Sequence, residues 1–234
     1  MTTQPSRRLR LDIVDLCAAA AAAAALALAF HIWRYGPAGL IPLHLDFRGR
    51  VDGWGDRNEA ALVLGAMTVV LGLGYALLAA MGHSQAPDSP ARRGLRLARM
   101  AVLVVGALVV GLIAEMVFGG AAPGADPAGP ARLRVGTLSL IFAVVGALIG
   151  KAGPNPIVGV RTYWALKSRL AWDKSNRLAG RLFFWIGLAG LIAAPAAPPE
   201  LATTILIVAI LSAAAVSVFE SWRVWRADPE RRFP

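Results

Sequence analysis

Cysteine is nearly missing from this chain. Cys17 stands alone, so neither an intramolecular disulfide nor a cysteine-based metal site can form. Charge is also scarce. Only 16% of the 234 residues are charged, where a soluble domain carries roughly 25%. Acidic residues are the scarcer sign, 14 against 24 basic ones, for a net charge of +10. The chain has no GxxxxGK[ST] loop, no GxGxxG after a strand, no HExxH and no recognisable Ser/His/Asp set. No residue set therefore supports an enzyme, and no cofactor is expected.

Apolar residues fill the space instead. They make up 57% of the chain, and the mean hydropathy is +0.58. They come in blocks rather than as one-faced stripes, the pattern of a polytopic membrane protein. Six blocks stand out, at about residues 12–32, 59–81, 100–118, 133–150, 182–197 and 201–219. The expected fold is all-α: one integral-membrane domain over residues 1–234, a six-helix transmembrane bundle. The apolar run from Ile13 to Trp33 is long for a signal-peptide core and reads as an uncleaved first span. Asp12 and Asp15 lie in its first turn, where carboxylates suit the helix dipole. Gly65, Gly72 and Gly74 give the second span a small-residue face of the kind that packs helices closely.

The basic residues sort by loop. The N-terminal tail, the loop after the second span, residues 151–181 and the C-terminal tail carry 18 of the 24, and the other side carries six. That threefold bias places both termini and residues 151–181 in the cytoplasm, and residues 33–58 outside. It also accounts for the net charge without nucleic acid; membrane lipid is the expected contact.

The stretch from Lys151 to Arg181 is too rich in polar and aromatic residues for a mere link. It holds seven basic residues and two tryptophans. Pro154-Asn155-Pro156 blocks helix continuation, and Gly159 allows a further bend. A helical pattern resumes over residues 166–179. Trp164, Trp172, Lys174 and Arg181 are spaced to sit at a headgroup boundary. The stretch reads either as an interfacial anchor on anionic lipid or as a docking surface for a partner. An ion pair between Arg161 and Asp173 is a further expectation.

Pro154-Asn155, Gly159-Val160-Arg161-Thr162, Trp164, Trp172, Lys174 and Arg177, together with Gly180, resemble the signature loop of the SdpI family. Four positions depart from that pattern: Tyr163 stands where the family usually has proline, Arg169 and Leu170 where it often has acids, and Asn176 where it usually has histidine. A second likeness covers the outer loop. Ile41-Pro42-Leu43-His44, Gly49, Asp52-Gly53, Trp54 and Gly55 are similar to the domain of unknown function that often precedes the SdpI module, with Val51 in place of a proline. The resemblance implies a multi-pass protein of the bacterial cytoplasmic membrane that confers immunity to a secreted toxic peptide. The outer loop reads as a structured cap over the outer mouth of the bundle or, functionally, as a peptide-binding cap with ligand contact at Pro42, His44, Gly49, Asp52 and Trp54. Inside, the resemblance implies signalling to a regulatory protein through the 151–181 loop, including Thr162 and Asn176.

Other features bear on rival readings. Ile41-Pro42-Leu43-His44-Leu45 is suited to an extended conformation. His44, Asp46, Asp52 and Asp56 are the only polar cluster with metal-ligand chemistry, but aspartate is equally a turn residue among glycines, and no metal is expected. Glu115 is the one carboxylate well inside a span. It either pairs with Arg34, Arg132 or His31 near the outer end, or serves a ligand or proton role. The rival to an immunity protein is a small permease of a solute or peptide, which requires an aqueous path lined by Glu115 and the glycine faces.

Overall fold

The computed structural model describes residues 12–86, 89–119, 128–154 and 158–231. Its elements are α1 (Ile13–Tyr35), β1 (Ile41–Leu45), β2 (Val51–Gly55), α2 (Arg57–His83), α3 (Pro90–Phe118), α4 (Gly129–Ile149), α5 (Tyr163–Lys167), α6 (Arg169–Ala193) and α7 (Pro199–Ala227). The protein is an all-α polytopic membrane protein with one small hairpin. The extended segment expected at Ile41 is β1, paired antiparallel with β2.

Local chemistry starts each helix. Asp12 caps α1, and Asp15 returns the bond to its backbone; Asp56 and Glu59 do the same for α2. Ser89 caps α3 with proline just behind it, and two prolines open α7. Asp56 accepts from the N–H groups of Glu59 and Asn58, and these bonds hold its pKa below the ordinary carboxylate value.

The helices form two groups. In the first, α1 and α3 both pack along α2. In the second, α6 lies between α4 and α7, and α3 against α4 joins the groups. Five helices are long and apolar enough to cross a membrane by themselves: α1, α2, α3, α4 and α7. The sixth, α6, has a polar first half. It nevertheless runs antiparallel to α4 along most of that helix, from Gly150 beside Arg177 to Gly136 beside Ala194. Residues 177–194 thus rise about 27 Å beside α4, close to the thickness of a bilayer core. The interfacial helix and the following span expected from sequence are one continuous helix, broken only at Ser168 from the short α5.

Glycine makes the α4–α6 contact possible. A Cβ on Gly180 would stand 2.9 Å from the carbonyl oxygen of Gly146, and one on Gly187 would stand 2.5 Å from that of Ser139. The glycines expected to pack helices, Gly65, Gly72 and Gly74, would meet nothing within 4 Å. The small-residue interface lies in the other half of the molecule.

Candidate functional site

Beyond α4 the chain crosses one end of the bundle and is pinned from below by α6. Trp172 lies in the first turn of α6 and is fully buried. Its indole N–H donates to the carbonyl of Ala152 at 3.0 Å. One turn on, buried Asn176 donates to the Trp172 carbonyl at 3.0 Å and accepts from the Val160 N–H at 2.7 Å. Gly159 sits at φ +128°, and a Cβ there would lie 2.5 Å from the Asn176 side-chain oxygen and 3.0 Å from the indole ring. A side chain at 159 would therefore be strained and obstructed at once. Trp172 is the pillar of the loop rather than a headgroup anchor, because the loop folds over it. An amide serves at 176 because it offers a donor and an acceptor together.

The rest of the loop is tied to α7. Thr162 caps α5 through the N–H of Ala165, and its hydroxyl meets that of Ser221 at 2.7 Å. Ser168 caps α6 through the N–H of Ala171 and donates to Asp228 beyond α7. The Ser168 hydroxyl, with the Glu230 N–H, holds the Asp228 pKa below its ordinary value. Val158 packs beside Leu78, Leu95 and Ala98 of α2 and α3, so the loop touches both helix groups. Arg161, Lys174, Arg177 and Pro154 are exposed, and Trp164 is half-buried. No Arg161–Asp173 ion pair occurs among the described residues, and Asn155 lies outside them.

At the opposite end, the hairpin closes over the first helix group. Ile41 is buried with Ile32, Leu64 and Val117. Gly49 turns the hairpin at φ +79°, 2.9 Å by its absent Cβ from the Thr203 hydroxyl, and Arg50 pairs with Glu200 at 2.7 Å. The hairpin tip therefore rests on the start of α7. Asp46 accepts from the N–H groups of Arg50 and Arg48, which lowers its pKa, so it serves the turn. His44 bonds to Asp52 at 2.5 Å. Pro42 pairs across the strands with Trp54. Trp54 and Phe47 present exposed aromatic surface.

Two buried ionic clusters complete the picture. Glu115 pairs with Arg134 at 3.0 Å, joining α3 to α4; this partner is none of the three expected from sequence. Arg99, almost fully buried, bonds Asp15 at 2.7 Å and Asp12 at 2.9 Å. The Tyr75 hydroxyl donates to the same Asp15 oxygen at 2.8 Å. Sequence reasoning missed this cluster. Its signal was a carboxylate and a tyrosine inside apolar runs, with an arginine at the edge of a third.

The fold and these sites define a multi-pass helical membrane protein, with an aromatic hairpin at one end and a pinned basic loop at the other. Residues 151–221 match the SdpI/YfhL protein family. The matched segment begins at the loop and ends at Ser221, the residue that holds Thr162. No curated protein and no solved structure matches the chain.

Proposed function

We propose that this is a non-enzymatic immunity or sensor protein of the bacterial cytoplasmic membrane, giving resistance to a secreted antimicrobial peptide. The family match over residues 151–221 carries this reading. The termini and the pinned loop face the cytoplasm, following the distribution of basic residues. The hairpin then faces outward and offers Trp54, Phe47, Pro42 and His44 to an amphipathic peptide. Arg161, Lys174 and Arg177 form the exposed cationic face of the inner loop and would meet a regulatory protein. A peptide that binds one arrangement of the bundle more tightly than another shifts the population toward it, and the loop reports the shift. The permease reading loses its main support, because Glu115 is committed to Arg134.

The test is killing of a sensitive bacterial strain by a panel of secreted toxic peptides, with and without the protein. Trp54→Ala and Arg161→Ala versions are compared at equal membrane levels. Protection lost in Trp54→Ala and kept in Arg161→Ala places recognition on the hairpin. The reverse pattern makes the inner loop the working part. Absence of protection against every peptide overturns the immunity reading.

A further inference from the structure

The first helix group contains a cleft lined by α1, α2 and α3. Its walls are α1 and α3, which touch each other little, and its floor is α2. The lining is almost wholly apolar and more than half of it is alanine or glycine, with Ala18, Ala22 and Ala25 from α1, Gly72 from α2, and Gly106 and Ala107 from α3. The volume is about 530 Å³, within the usual range for ligand sites. Small residues alone do not hold helices apart. Here larger groups wedge both ends: Ile32, Ile41, Leu64 and Val117 at the hairpin end, and the Arg99, Asp15 and Tyr75 cluster at the other. The middle cannot collapse, so the alanine tract leaves a void.

A second cavity, of about 450 Å³, adjoins the first at Asp15, which lines both. Its character is opposite. Arg92, Arg93, Arg96 and Arg99 line it with Asp12 and Asp15. Arg99 is engaged by both aspartates. Four arginines against two aspartates leave an excess of two positive charges, carried by the three arginines of the first turns of α3.

We propose that the two cavities together form a binding site for an anionic phospholipid. The acyl chain fills the alanine-lined cleft, and the phosphate headgroup meets Arg92, Arg93 and Arg96. An apolar volume adjoining a cationic one across Asp15 has the polarity of such an amphiphile, and phosphate suits the guanidinium fork. The site lies outside the family-matched segment and does not depend on the immunity reading. Leu95 lines the cationic cavity and packs in the cluster that receives Val158, so an occupied site abuts the inner loop.

The experiment uses the full chain, delipidated in a neutral detergent, with binding read by native mass spectrometry. Palmitoyl-lysophosphatidylglycerol should bind one per protein, at least tenfold more tightly than palmitoyl-lysophosphatidylcholine. Glycerol phosphate, the head without the chain, should not compete at the same concentration. Arg92→Gln with Arg96→Gln should abolish the headgroup preference, whereas Arg223→Gln with Arg226→Gln, on the same basic end but lining neither cavity, should preserve it. Ala22→Phe should block both lipids; Ala22→Val, the milder filling, should weaken both about equally. Equal affinity for the two headgroups, competition by glycerol phosphate, or equal loss in both arginine pairs would overturn the proposal.

Discussion

The two helix groups use glycine and alanine to opposite ends. Between α4 and α6, Gly146, Gly180 and Gly187 let backbones meet closely enough that a methyl group has no room. In the first group, Gly65 and Gly74 face open space, and the alanines of α1 line a cleft. A small side chain permits close approach but does not enforce it. The α1–α3 pair is held apart at both ends, by the packed cluster of Ile32, Ile41, Leu64 and Val117 at one and by an ionic cluster at the other.

That contrast should be sharpest in Arg99→Leu. The change strands the nearly buried Asp15, while Asp12 is more exposed, and breaking a buried pair this way costs up to roughly 3–5 kcal/mol. Thermal unfolding in detergent should report it, and adding Asp15→Asn should recover part of the loss; full stability in Arg99→Leu alone would mean that the cluster is not what holds the first group. Gly187→Ala should come next, at about 1–3 kcal/mol from forced separation of α4 and α6. The same change at Gly74 should stabilise slightly, since alanine favours helix by up to about 1 kcal/mol. Equal effects at the two glycines would erase the distinction between the groups.

Smaller again is Asn176→Ala, which leaves the Val160 N–H short of a partner, at about 1 kcal/mol, while the Trp172 carbonyl keeps the Ser175 hydroxyl. Hydrogen exchange at Val160 should rise while exchange in α1–α3 stays constant. The least effect belongs to Asp228. Its folded-state pKa is lowered, so its contribution is complete above the ordinary carboxylate value of 3.8 and fades as pH falls through the lowered value. Proteolysis of the C-terminal tail should accelerate on acidification in the native chain and lose that pH step in Asp228→Asn.

Much of this architecture was legible in the sequence. Asp56-x-x-Glu59 and Asp12-x-x-Asp15 announce helix starts through side chains that satisfy free N–H groups. The IPLHL segment announces a strand, and apolar blocks announce spans. Three features were not legible, for one reason: each depends on a neighbour distant in sequence. Trp172 has the composition of an interfacial residue and becomes buried only because Ala152 and Gly159 come to lie against it. Glu115 has several arginines within plausible reach, and the α3–α4 packing selects Arg134. The polar start of α6 looks like a surface helix until α4 lies beside it. In the loop, the motif marked the residues that matter without separating the frame (Gly159, Thr162, Trp172, Asn176) from the exposed face (Arg161, Lys174, Arg177).

The hairpin belongs to the first helix group in sequence, yet its tip is fastened to the start of α7 through Gly49, Thr203, Arg50 and Glu200. At the far end the reverse holds, for Val158 follows α4 and seats itself on α2 and α3. The halves thus exchange straps at opposite faces of the membrane. A twist of one half against the other must strain both straps together, so an event at the hairpin has a mechanical route to the loop that does not run through the helix cores.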